Sequence, residues 1–451
     1  MLFTTTIILL IASMVLSVRD YQLAKNQYQE NLAQNRLIWE SQTQKDPHDA
    51  AHDGTYAIKP LHPLSMLDPG IRPYAGQGIH LGAHERKQGS LNEAKDHSEL
   101  FRFGQLTPKF MLLYIFPILL VFLGYKTVTS EVERHTLSLL LAQGASSRQI
   151  VLGKWIALTA TMLILFLLFG LSIGIAYSFL RFPIQISGFE WLVFNLSYLI
   201  YLLIFVNLTI LVSSWARSSG VALVGLLAFW IFITLIVPKL SSNLAGRLYP
   251  FPTLQTFKEN IYEDQQNGLN GHNFWNEAAQ VFQKQVLEKY GVETIDDLPV
   301  DYGGLLLAEG EKYESEVYSK HFDLLQAQYH KQRHIFRLTG LTSPFLAVNF
   351  ISMALARTDY DFQWHFEDRA EAYRVELNTA LNMNIAQNAK EVTSYKASTE
   401  LWAQMPRFNY KWKPARQIII DHELEFAIVL AWGIFSFLAM LFFSRKIQVA
   451  R

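Results

Sequence analysis

Six of the 13 histidines fall into three pairs spaced four apart: His48 with His52, His80 with His84, and His330 with His334. On a helix this spacing sets two imidazoles on one face, as zinc-binding helices do. Asp49, Asp53 and Glu85 are near enough in sequence to add oxygen donors, so His48, His52, His80 and His84 form a candidate site for zinc or copper. Pro47 precedes the first pair, Gly54 follows it, and the second pair lies in a glycine-rich run. Neither pair is securely helical, and satisfied structural histidines are the plainer expectation. His135, which titrates near neutral pH in its ordinary state, is weighed as a pH sensor and set below a plain polar role.

Other chemistry is poorly provided for. The chain has no cysteine, which removes disulfides, thiolate zinc sites, iron–sulfur clusters and cysteine nucleophiles together. There is no Gly-x-Ser-x-Gly elbow and no His-Glu-x-x-His. A phosphate-cradling loop needs Gly-x-x-x-x-Gly-Lys-Ser/Thr, but Gly153-Lys154 is followed by Trp155 and has Arg148 in place of the first glycine. No catalytic residue is expected, nor ATP hydrolysis by this chain alone. Asp296, Asp297, Glu309 and Glu311 read as a solvated face.

The most informative stretch runs over 130–155. Ser130 followed by Glu133 is a capping box, and Glu131 and Glu133 suit the positive end of a helix dipole. The spacing predicts a helix over 131–143, with Leu137, Leu140 and Leu141 on one face and Gly144 where a left-handed C-cap is needed. Ser146 and Ser147 can cap the next helix, which climbs through Ile150 and Val151. Taken alone, such a pattern is an ordinary interfacial helix.

The elements that must position these residues are written in the hydropathy. Half the 451 residues are apolar and 17% are charged, and the apolar ones come in blocks. A bilayer-crossing helix needs roughly 17–25 of them. Six blocks qualify, over 2–18, 110–125, 155–180, 191–212, 220–237 and 426–443; the second is shortest, between Lys109 and Lys126, whose amines can snorkel outward. Lys126, Arg134, Arg148 and Lys154 lie between spans two and three, Arg217 between four and five, and Arg445, Lys446 and Arg451 in the tail. These faces are expected to be cytoplasmic. The loop with Arg181 and Glu190 then lies outside, and both chain ends lie inside. The apolar start, Met1-Leu2-Phe3-Thr4, lacks the usual basic residues, as a shortened start or a missing amphipathic lead-in would explain.

The fold class expected is mostly α: a polytopic membrane protein with six transmembrane helices and a largely helical extracytoplasmic domain formed from two insertions. The divisions are span one over 1–18, an insertion over 19–109, spans two to five over 110–238 with the short helix 131–143, a large outer domain over 239–425, and span six with a tail over 426–451. Within the outer parts, 309–337 and 362–388 show helical periodicity. The apolar stretch 341–356 predicts a helix at the outer membrane surface or packed under the domain, rather than a re-entrant segment. The spans carry Ser, Thr, Asn195 and Asn207 but no charge that would mark proton-coupled transport, and Asn207 is expected to bridge helices. Lys+Arg equals Asp+Glu at 39 each, leaving no basic surplus for nucleic acid.

The stretch over 130–155 closely resembles the coupling-helix region of type-2 ABC transporter permeases, where Glu-x-Glu-x-Gly-Thr-Leu, Leu-Leu, Ser-Arg and Gly-Lys follow one another between spans two and three. The matching residues are Glu131, Glu133, Thr136, Leu137, Leu140, Leu141, Ser147, Arg148, Gly153 and Lys154, with Arg134 inside the stretch. His135 departs from the usual glycine. Residues 47–54, Lys59-Pro60, Pro63-Leu64 and 67–70, then Ser343-Pro344, 352–354 and Thr358-Asp359, are similar to a bacterial branch with large outside insertions of unassigned role. The resemblance implies a permease subunit in the bacterial inner membrane, paired with a second permease as homo- or heterodimer. It also implies two ABC ATPase subunits that carry the ATP and magnesium, contact with membrane lipids, no nucleic acid, and export as the direction. Two rivals stand beside it: a subunit transmitting ATP-driven motion to periplasmic cargo, and a membrane-anchored extracytoplasmic metal-binding protein or enzyme.

Overall fold

The structure, a computed structural model, describes residues 2–87, 106–180, 186–392 and 394–444. Met1, Arg181, Arg445, Lys446 and Arg451, used above for orientation and the chain start, lie outside the described residues. Among the described residues six helices are long and apolar enough to cross a membrane: Phe3–Glu40, Pro108–Glu133, Ser147–Phe179, Gly188–Trp215, Ser219–Leu248 and Glu423–Ser444, hereafter spans one to six. Apart from these and the shorter helices outside them, the regular structure of the described residues is one two-stranded ribbon, so the protein is mostly α, as its sequence predicts.

Span one shows why the hydropathic boundaries fall short. Its helix is unbroken from Leu2 to Glu40, because the sequence contains neither glycine nor proline after Val18, where the apolar residues stop. At 1.5 Å per residue it measures roughly 58 Å, about twice a hydrocarbon layer. The boundary expected at residue 18 therefore lies inside one rigid rod. At the rod's far end Trp39 packs with Trp402, Leu377 and Ala50.

Span four is the central post, packed against spans two, three, five and six. Asn207 ties two of them to it: its Nδ2 donates to Ser436 Oγ of span six at 3.0 Å, and its Oδ1 accepts from Trp155 Nε1 of span three at 2.8 Å. Outward faces such as Leu163, Leu167 and Leu171 of span three stay exposed, as expected of helices whose other solvent is lipid.

Spans two and five share a device. Pro117 supplies no amide to the Leu113 carbonyl, and the helix widens over Met111–Ile115, where the Phe116 amide reaches back five residues to Met111. Tyr201 of span four donates its hydroxyl to that Leu113 carbonyl at 3.0 Å. In span five the widened turn is Phe232–Ile236, just before Pro238, and Ser343 Oγ donates to the Ile233 carbonyl at 2.8 Å. At each bulge a neighbouring hydroxyl thus satisfies one of the freed carbonyls, as an apolar surrounding favours.

Outside the spans, helices Tyr302–Gly340 and Tyr360–Asn388 run antiparallel, joined through Pro344–Ala356. That connecting helix is buried along most of its length against spans four and six, with Ser352 Oγ 2.7 Å from the Tyr198 hydroxyl. It is packed under the domain and has no free surface face. The ribbon pairs Thr55–Ile58 with Gly78–Leu81, Thr55 opposite Leu81, and lays Ala57, Ile79 and Leu81 on Phe366 and Ala370.

Candidate functional sites

The stretch between spans two and three is an elbow of two short helices, Thr129–Glu133 and Thr136–Ala142. His135 separates them with φ 57°, in the left-handed region where a glycine is easiest to place. The single helix expected over 131–143 is thus broken at the position that departs from the permease pattern. Gly144 follows with φ 91°, as its spacing predicts. Ser146 then closes a capping box with Gln149, and span three begins.

The elbow's carboxylates are engaged within the chain. Glu131 Oε1 accepts from Lys154 Nζ of span three at 2.6 Å, and its other oxygen accepts from Thr136. Glu133 does not close a box with Ser130. It accepts from the Ser219 amide at 2.6 Å and the Ser219 hydroxyl at 2.8 Å, capping span five. Leu137 is buried, and Leu140 and Leu141 pack against the same core. Arg134, His135, Leu139, Gln143 and Arg148 are among the residues the elbow presents outward. Leu139 carried no signal of its own, since a smooth helical face from Leu137 to Leu141 left it out of phase.

The second site lies in the outer part. Helix Pro47–Asp53, capped by Asp46 and opened by Pro47, holds His48 and His52 on one face with ring centroids 4.7 Å apart. His84 joins them from the turn after the ribbon, and His272 from the loop following helix Leu254–Gln266. One ligating atom from each of the four lies within 4.8 Å of the others. The Nε2 atoms of His48 and His272, and of His48 and His84, are 3.4 Å apart; those of His84 and His272 are 2.8 Å apart.

His80 is not in this group. The pair His80/His84 is not helical: His80 sits in the strand opposite Tyr56, and its Nε2 meets the Asp53 carbonyl at 2.9 Å. Its place is taken by His272, which has no spacing relation to the other three. The expected oxygen donors are elsewhere too: Asp53 pairs with Lys45, Asp49 is exposed, and Glu85 lies 3.8 Å from Lys87. His330 and His334 are exposed and join no ligand group among the described residues.

Carboxylates reach the cluster from a different element. His84 Nδ1 is 3.0 Å from Glu311 and 2.7 Å from Glu314, and the His84 amide donates to Glu311 at 2.9 Å. Far from a solvated face, Glu311 is 1% exposed and paired with fully buried Arg374 at 3.0 Å. Glu371 holds the other edge of that guanidinium at 2.8 and 2.9 Å. His48 Nδ1 meets Asn382 Oδ1 at 2.9 Å. Burial opposes charge on His84, but the hydrogen bonds it donates to Glu311 and Glu314 outweigh it and push its pKa up to about 9. Burial, then the charge of His84, pushes His272 down to about 4. His84 holds φ 63°, a conformation that costs a non-glycine residue about 1–2 kcal/mol.

Comparison with known proteins places the chain as a whole. The profile of the ABC-2 family transporter proteins matches residues 1–286, which take in spans one to five and the elbow. A domain of unknown function, DUF3526, matches residues 255–411, the outer helices. No curated protein and no solved structure matches. With six apolar helices and a family match over more than half its length, the chain belongs to the ABC-2 family of transporter proteins, as a membrane permease subunit of an ABC transporter.

Proposed function

We propose that this permease is driven by a separate ABC ATPase seated on the elbow between spans two and three, in a complex with a second permease in a bacterial inner membrane. The observation that carries the reading is the wiring of the elbow. Glu131 binds Lys154 of span three and Glu133 caps span five, while the elbow itself continues span two. A push on the exposed face, Arg134, Leu139 and Arg148, therefore moves three spans together. The partner contact falls to these residues, because the two glutamates already have partners inside the chain. The large outer domain lies on the periplasmic side in this reading, and export is the direction the family implies.

Transmission of motion to the outer domain has its own support. Span one is a single helix to Glu40, and span five continues through its widened turn to Leu248, so both rise into the outer part. Arg357 Nη2 donates to Glu190 of span four at 2.5 Å, and Lys109 of span two pairs with Asp68 at 2.9 Å. Displacement of the spans is carried outward through these contacts, with or without cargo crossing between them.

The test is capture of the ATPase. Tagged wild-type chain should retain an ABC ATPase from native membranes, and Arg134→Glu with Arg148→Glu should lose it at equal expression. Retention by the double variant would overturn the assignment of the contact face. Failure of the wild type to hold any ATPase would overturn the coupling itself.

A further inference from the structure

We infer that His48, His52, His84 and His272 form a zinc site that staples the two outer insertions together. Three ligands come from the first insertion and the fourth from the second, more than 180 residues away in sequence. The inference is independent of where the ATPase binds.

Three of the six nitrogen separations in the group can be set against a tetrahedral ion's ligand shell. Zinc–nitrogen bonds of about 2.0–2.1 Å put neighbouring ligand nitrogens about 3.3–3.4 Å apart. Two of the Nε2 separations are 3.4 Å. The third, 2.8 Å, is a hydrogen-bond length that opens by about half an ångström to match, and His52 brings its ligating atom within 4.8 Å of the other three. Zinc displaces the proton that Glu311 and Glu314 favour on His84, and the four neutral imidazoles that result suit zinc well and leave hard cations such as magnesium and calcium unsatisfied.

The surroundings match as well. A ligating imidazole presents one nitrogen to the metal and donates the other N–H to a carboxylate or carbonyl, which fixes its tautomer and aim. His84 does this toward Glu311 and Glu314, and His48 toward Asn382. Glu311 is itself anchored by Arg374, and Arg374 by Glu371 and the Gly82 carbonyl at 3.2 Å. The strained backbone of His84 is what brings its Nε2 to the group while Nδ1 keeps its carboxylates. Such a site gives a chain without cysteine a cross-link that it cannot make by disulfide.

The test uses the full-length chain in detergent, its affinity tag removed, stripped with chelator and then given zinc. One equivalent should stay bound through gel filtration in the wild type and in His80→Ala. His52→Ala and His272→Ala, at exposed positions, should bind at least tenfold more weakly while keeping the wild-type circular dichroism. Cobalt added in place of zinc should give the intense visible bands of a tetrahedral centre in the wild type and in His80→Ala, and not in His52→Ala or His272→Ala. Zinc, and not magnesium, should raise the thermal midpoint. A wild type that retains no zinc, or a His272→Ala that binds as tightly as wild type, overturns the site. Loss of zinc in His80→Ala would overturn the assignment of its ligands.

Discussion

Arg337, in the last turn of the outer helix Tyr302–Gly340, forks onto Glu425 at the start of span six, Nε to Oε1 at 2.7 Å and Nη2 to Oε2 at 3.2 Å. Glu425 is 1% exposed, and among the described residues its only other cation nearby is Arg333 at 4.0 Å. The fork makes the outer domain and the last span one mechanical unit.

Removing one partner of a buried pair strands the other. Arg337→Ala should cost about 3 kcal/mol, the low end for such a change because Arg333 stays in place. Arg337→Lys should fall between, keeping charge but losing the fork. Adding Glu425→Gln to Arg337→Ala should recover most of the loss, since the stranded charge is gone. The readout is the thermal midpoint of the detergent-solubilised chain. A single variant that melts with the wild type would show that the pair carries no load.

The elbow separates stability from assembly. Glu133→Ala strips the cap from Ser219 and should lower the melting midpoint of the purified permease with no ATPase present. Leu137→Asp, placing a carboxylate at a buried position, should lower it further. Leu139→Asp, at a side chain 58% exposed, should leave melting unchanged while ATPase co-purification falls. Equal assembly by Leu139→Asp and wild type would remove Leu139 from the contact.

His62 gives the outer part an acid limit. Burial pushes its pKa down to about 3, and the charge of Arg357 acts in the same direction. In the unfolded chain the ring titrates near 6.5, so between about pH 6.5 and 3 unfolding takes up a proton that the folded state refuses. The stability tied to His62 is full above that window and is lost as pH falls, by up to about 1.4 kcal/mol per pH unit. His62→Asn keeps an acceptor for the Leu64 amide, which His62 Nδ1 now accepts at 3.3 Å, but cannot titrate. Its melting midpoint should fall less steeply than wild type between pH 6.5 and 4.5, and parallel curves would exclude His62 as the cause.

Six spans were legible because a bilayer demands an unbroken apolar length, and length is local information. Their ends were less so: no continuous apolar block marks residues 19–40, and only the lack of a breaker says that the helix continues. The elbow was legible as residues but not as wiring. Glu133 has its partner 86 positions away, and its sequence neighbours suggested Ser130 instead. The histidine site was half legible, since the i, i+4 rule holds for His48 and His52 on a real helix and fails for His80 on a strand. His272 meets His48 across 224 positions, a pairing that only the packing of the two insertions creates.

The proline devices lend themselves to a double-mutant cycle. Tyr201→Phe leaves the buried Leu113 carbonyl with no donor, at a cost of roughly 1 kcal/mol, because hydrogen bonds between membrane helices average somewhat less than that while buried orphans cost more. Pro117→Ala supplies the missing amide, and in that background the carbonyl no longer needs the hydroxyl. Tyr201→Phe should then cost far less, giving a coupling of about 1 kcal/mol between positions 117 and 201. Ser343→Ala with Pro238→Ala is a control of different logic. Ser343 serves the Ile233 carbonyl, which the widened turn frees although it is not the one that Pro238 faces, so coupling there requires the whole turn to relax. The four proteins of the Tyr201 cycle are compared by thermal midpoint in one detergent. Effects that add within about 0.3–0.5 kcal/mol would mean that Tyr201 packs against span two without serving its freed carbonyl.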